Sequence, residues 1–224
     1  MNQKIYRLIK AERFEKSGII QHQVLMFGEE RIFRYQSIRI GLIWPSTEHP
    51  AFFVVGGMET EDKLQPSLYG VIRVIEQAEI EDLSLDTLFN DLTDSYTLMK
   101  CDSIYVDKGE GKKDFCNHLY DYLDKRNLRS LNVYDVPYKD IVSRFSTIKV
   151  FNDSGCLIVD KGSLLFQDLQ GISRAHLKDN PEEHFYRLNG LGFLIASFAK
   201  FPPTKSFDFK SFEKGGKSGD WMAY

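Results

Sequence analysis

The hydrophobic period of this chain first changes between Ile80 and Leu85, and that change limits the folds open to it. Before it, apolar residues recur at every second position. Ile38, Ile40 and Leu42 alternate with Arg39 and Gly41, and Ile43 and Trp44 lead into Pro45. Ala51 to Val55 is a continuous apolar run stopped by Gly56-Gly57, and Tyr69 to Ile80 alternates again. A period of two belongs to strands, whose successive side chains point to opposite faces. Three such runs joined by short turns read as an antiparallel meander. After the change, Leu85, Leu88, Phe89, Leu92, Tyr96 and Met99 follow helical spacing, with Ser84 as the N-cap.

Strand and helix then alternate. Ile104-Tyr105-Val106 is a short buried strand ending on Asp107, and Lys108-Gly109-Glu110-Gly111 is a loop. Phe115, Leu119, Tyr122 and Leu123 mark a second helix, and Leu131, Val133 and Val136 a fifth strand. Strands separated by helices pair in parallel, because a parallel return needs a long crossover. Further on, Ile141, Val142 and Phe145 suggest a short helix. Ile148 and Val150 with Cys156 to Val159 read as a small hairpin turned at Asn152-Asp153-Ser154-Gly155. Ser163 to Gln170 is another short helix. Asp179-Asn180-Pro181-Glu182-Glu183 opens a long apolar-faced helix running to about Lys200, ended by Pro202-Pro203.

These elements divide the chain into an N-terminal extension (1–37), an α/β domain (38–203) and a flexible tail (204–224). Residues 2 to 35 are charged and weakly periodic. The tail carries Gly and Ser and ends in Trp221-Met222-Ala223-Tyr224, an aromatic tip suited to docking on a partner through Trp221, Met222 and Tyr224. Hydrophobic residues make up 42% and charged residues 27%, which suits a globular domain. A net charge of −3 argues against electrostatic attraction of the whole protein to nucleic acid. No run of 18 apolar residues and no apolar signal core occur, so the default location is cytoplasmic. Three scattered cysteines without a CxxC pair point to free thiols rather than zinc.

Asp107 is the main chemical candidate. A rigid strand ending on a carboxylate can present a metal ligand at a sheet edge, though an Asp at such a junction also caps turns. The run Lys108 to Lys113 has no GxxxxGK[ST] pattern and reads as a solvated loop. The five histidines form no metal-spaced pair, and Ser154 is a turn residue. Lys125, Arg126 and Arg129 complement a helix dipole.

Three antiparallel strands, alternating helix and strand, then a long final helix is the element order of the RNase H-like fold. From Ile38 to Lys200 the chain resembles the nuclease domain of the large terminase subunit of tailed phages. The resemblance implies a mixed five-stranded sheet flanked by helices, and acids on the first strand, the fourth strand and the last helix around two divalent metals. Two hard cations about 3.5–4 Å apart need several carboxylates to hold them. Matched position by position, the fourth-strand acid is Asp107, the first-strand position is Ile43 and the last-helix position is Asn189. One carboxylate of three implies a remnant site. The first expectation is therefore a non-catalytic structural or adaptor protein of phage assembly, portal, neck or DNA packaging. It would need no cofactor, form an oligomeric assembly with other phage proteins, and reside in the virion or the infected cell. The alternative is a Mg²⁺- or Mn²⁺-dependent DNA endonuclease whose acids have migrated around Asp107, with Glu110 the nearest and Glu48, Asp135, Asp179 and Glu183 as further donors. A DNA-binding module without chemistry is a weaker third reading.

Overall fold

In a computed structural model, the structure describes residues 2–4, 6–60, 70–81, 84–128, 131–137, 140–171 and 185–198. One sheet of nine strands runs through them. Its centre holds β4 (Glu29–Ile43), β5 (Ala51–Glu59) and β6 (Ile72–Ile80), the expected antiparallel meander. Helix α1 (Leu85–Met99) crosses over to β7 (Ser103–Val106), which pairs in parallel with β4. Helix α2 (Lys113–Lys125) leads to β8 (Val133–Asp135), parallel to β7. The order β8-β7-β4-β5-β6 is thus three antiparallel strands followed by two parallel ones, as the change of period requires.

The N-terminal residues belong to this sheet rather than forming an extension. β1 (Asn2–Lys4) pairs with β6, whereas β2 (Arg7–Arg13) pairs with β3 (Ile20–Met26), which pairs with the first half of β4. So β4 starts at Glu29, nine residues before the expected Ile38. β1 and β2 lie at opposite ends of a six-strand order. A flat sheet would hold those ends about 24 Å apart, at about 4.8 Å per strand. Three Cα steps from Lys4 to Arg7 span at most about 11 Å. The antiparallel strands must therefore curl into a barrel-like wall. Tyr6 plugs the junction: its hydroxyl lies 2.7 Å from His22 Nδ1 and 3.3 Å from Tyr35 Oη, and its ring stacks on Phe33. His22 Nε2 lies 2.9 Å from the Met99 carbonyl, so Nε2 carries the proton and donates, and Tyr6 donates to Nδ1. Burial lowers the His22 pKa and keeps the ring neutral. Arg13 is tied to Asp102, whose other oxygen accepts from Ser37 and from the Ile38 N–H.

Two glycines expected to stop β5 lie within it. A Cβ on Gly56 would meet Leu194 at 2.5 Å and one on Gly57 would meet the Tyr35 ring at 2.4 Å. Close packing requires glycine there, not a strand end.

The expected hairpin at 148–159 is also different. Residues Ile141–Asp153 are a single helix, α3, with the Asp140 side chain accepting from Ser143 N–H at 2.7 Å. Phe145, Ile148 and Phe151 repeat every three residues and are buried together, which is a helical face. Gly155, with φ of 67°, ends the helix: its N–H donates to Asn152 O, and Cys156 N–H donates to Phe151 O. That is a left-handed helix cap, not a hairpin turn. β9 (Leu157–Ile158) then pairs in parallel with β6. Helix α4 (Leu164–Gly171) follows, with Ser163 Oγ accepting from Phe166 N–H. The last described helix, α5, spans Tyr186–Phe198; its expected start at 179–183 and its end at Pro202-Pro203 lie outside the described residues, as does the 204–224 tail. Helices α1 and α2 cover one sheet face over a core including Ile40, Leu42 and Phe53. Helices α3, α4 and α5 cover the other over Phe52, Val54 and Val74. No helix among the described residues is long and apolar enough to cross a membrane.

Candidate active site

Parallel pairing of β4 with β7 sets Leu42 against Val106, so Ile43 and Asp107 leave the sheet side by side at its carboxyl end. Such an end, where neighbouring strands release their chains, is where open α/β sheets place their sites. Helix α5 lies directly on β4 here. A Cβ on Gly41 would fall 2.3 Å from the Gly190 carbonyl oxygen, and one on Gly190 would fall 3.4 Å from Ile43 Cγ1. The two glycines let backbone meet backbone, so the expected corners on β4, β7 and α5 do converge on one region.

The side chains at those corners serve the fold. Asp107 is half-buried, and its Oδ1 accepts the Gly109 N–H at 2.8 Å, closing the turn after the strand. Its carbonyl accepts from Trp44 Nε1 at 3.0 Å, and Trp44 stacks on Phe115 of α2. Asp135, on β8 opposite Val106, does the same for the next strand: its Oδ1 accepts from Lys108 N–H and Val136 N–H. Glu110 is exposed at the loop tip. Ile43 supplies no donor atom.

Asn189 is buried and turned toward α3. Its Oδ1 accepts from Arg144 Nε at 3.1 Å, and the Arg144 guanidinium sits 5.1 Å from the Phe193 ring centroid. Each of the two is 4% exposed. The α5 residues that face the sheet are instead Gly190, Leu194 and Ser197, the last accepting through its carbonyl from Arg39. So Asn189 sits on the helix that would carry the third acid, yet its side chain is committed to Arg144.

A second charged group lies farther along the same edge. Ile43 pairs with Phe52 and Phe52 with Glu79, which places Glu79 three strands from Asp107. That is about 14 Å at about 4.8 Å per strand. Arg187 of α5 reaches Glu79 at 2.9 Å and grips Asp168 of α4 with two bonds of 2.7 and 2.9 Å. Asp168, foremost, pushes the Arg187 pKa up further. Tyr186 stacks on His49 at 4.8 Å, and burial raises its phenol pKa. Sequence reasoning missed this cluster and Arg144, because charged residues scattered over three elements have no local spacing to betray them.

The arrangement can be tested against two divalent ions 3.5–4 Å apart. The sheet end offers Asp107, whose Oδ1 is bonded to its own loop, an Ile, and an Asn held by an arginine. Among the described residues, no three His, Cys, Asp or Glu side chains gather closely enough to hold an ion. This donor set does not fit a two-metal centre. Glu48, a further migrated candidate, is exposed in the turn between β4 and β5; Asp179 and Glu183, the remaining ones, lie outside the described residues, as do Trp221, Met222 and Tyr224.

Among solved structures, the large terminase nuclease from thermophilic phage G20c with bound zinc matches 87% of this chain and 95% of its own, with a TM-score of 0.50 and 11% identity. The fold is RNase H-like. The same nuclease with bound magnesium matches at a TM-score of 0.41 and 12% identity, over 74% of this chain and 75% of that one. The fowlpox virus Holliday junction resolvase matches at 0.39 and 12%, over 72% and 96%. The assignment rests on the first of these and concerns the fold alone. No family model and no curated protein matches the sequence.

Proposed function

We propose that this chain is a non-catalytic relative of the terminase nuclease domain, acting as a structural or adaptor component of phage assembly, portal, neck or DNA packaging. The observation that carries the reading is the pairing of Asn189 with Arg144. A buried cation bonded at the position expected for a metal-binding acid opposes a second cation there by charge repulsion. Ile43 at the neighbouring corner, half-buried beside Gly190 of α5, removes a further ligand. The likeness to the terminase nuclease supports the shape of the domain on which this reading builds. Other phage structural or packaging proteins are the partners this reading calls for.

One observation favours the alternative, a Mg²⁺- or Mn²⁺-dependent DNA endonuclease. Asp107 and Asp135 stand at the ends of adjacent parallel strands, Val106 pairing with Asp135. A single ion bridging them with Glu110 would need the loop bonds to Gly109 and Lys108 to open. Incubating supercoiled plasmid with Mn²⁺ separates the two readings. The adaptor reading expects no cleavage by the wild type; cleavage that disappears in Asp107→Ala would sink it.

A further inference from the structure

Strand β2 has β3 on one side and no strand on the other among the described residues. Phe14 donates its N–H to Ile19 O across the β2–β3 turn at 2.9 Å. In an antiparallel ladder the bonding direction alternates, so the N–H and C=O groups of Arg13 and Ala11 face outward from the sheet. This outer row is a template for another strand. The irregularity between Leu8 and Lys10 limits the regular part of the edge to Lys10 through Arg13.

We propose that this edge pairs with β2 of a second copy, antiparallel about a two-fold axis at Ala11. Charge selects the occupant and the register. About Ala11, Lys10 of each copy faces Glu12 of the other. Within one chain Lys10 and Glu12 already form an ion pair on one face. Two copies would therefore interlock four charges of alternating sign. Moving the axis to Lys10 sets Lys10 against Lys10 and Arg7 against Arg13; moving it to Glu12 sets Glu12 against Glu12. Like charges directly opposed destabilise a strand pair. Only the Ala11 register satisfies both the outward backbone groups and the charges, and a two-fold makes every contact twice.

Apolar side chains flank the paired stretch. Ile9 is 49% and Phe14 45% exposed, one at each end. The two-fold brings the partner copy's residue 14 level with Leu8, beside a surface cavity of about 380 Å³ lined by Tyr6, Arg7, Leu8 and Leu98. Such a short ladder makes a weak dimer whose population depends on concentration. The proposal is independent of any chemistry at the sheet end.

Sedimentation equilibrium of the full chain across micromolar to millimolar concentration tests it. The wild type is expected to show a monomer–dimer equilibrium. Lys10→Glu and Glu12→Lys should each raise the dimer dissociation constant about tenfold, since each turns two attractions into two repulsions. The double variant Lys10→Glu/Glu12→Lys should restore it. Lys10 and Glu12 side chains are 60% and 45% exposed, so thermal unfolding of all three variants should match the wild type. Hydrogen exchange at the Ala11 and Arg13 amides should slow with rising concentration. A strict monomer would overturn the proposal. So would a dimer indifferent to the single reversals, or one that the double variant fails to restore.

Discussion

Two corners of one sheet end carry acids, and they use them in opposite ways. At the β7 corner, Asp107 and Asp135 both accept N–H groups of the loop that follows β7, from Gly109 and Lys108 respectively. At the β6 corner, Glu79 joins Asp168 around Arg187, which is drawn from another helix. The first arrangement joins only the ends of two adjacent strands, and each acid accepts backbone N–H groups without a cation. The second ties β6, α4 and α5 together by bridging two carboxylates with one cation. The role of a carboxylate here depends on what reaches it, not on its place at the end of a strand.

The largest effect should come from the second corner. Arg187→Met leaves Glu79 and Asp168 facing each other in a mostly buried site, and should cost about 3 kcal/mol by urea denaturation. A loss below about 1 kcal/mol would mean that the corner is only a surface network. The barrel junction, remote from both corners, serves as a reference with a pH signature. The His22 pKa is lowered by burial, so the unfolded chain takes up a proton that the folded one refuses. Stability should therefore be full above the ordinary His value of 6.5 and fall as pH drops below it, by at most about 1.4 kcal/mol per pH unit. His22→Gln should flatten that slope in denaturation curves between pH 7.5 and 5.

At the first corner Asp107→Ala should cost about 1 kcal/mol, the worth of one turn-capping bond. Asp107→Asn keeps an acceptor oxygen and should cost much less. Equal losses in the two variants would mean that the negative charge itself matters, and would revive the metal reading. The smallest effect concerns Asn189→Asp. Its side chain faces Arg144, so the new acid should pair with that arginine and calorimetry should detect no gain in Mn²⁺ binding. A gain would break the contrast between the corners by showing that α5 can still deliver an acid to Asp107.

Much of this was legible in order along the chain. β4, β5 and β6 announce themselves because they are buried on at least one face, so alternation or a continuous apolar run survives in the residues. β2 and β3 do not. β2 is largely exposed, charged and broken by an irregularity, and the buried face of β3 places the polar His22 between Ile20 and Val24, so two real strands read as an extension. The Asn-Asp-Ser-Gly segment is ambiguous for a different reason. Glycine with positive φ serves a hairpin turn and a helix end alike. Only the packing of Phe145, Ile148 and Phe151 against α5 and β6 selects the helix.

By itself the sequence determined the alternation of elements, the pairing sense of the central strands and the absence of acids at positions 43 and 189, since these follow from period, crossover length and residue identity. Tertiary structure alone decided what stands in place of those acids. Arg144 and Asn189 are 45 residues apart, and Arg187 and Glu79 are 108 apart. No local pattern foretells such pairs. They exist because burial leaves a polar side chain costly until a partner is found, and the fold determines which partner lies within reach.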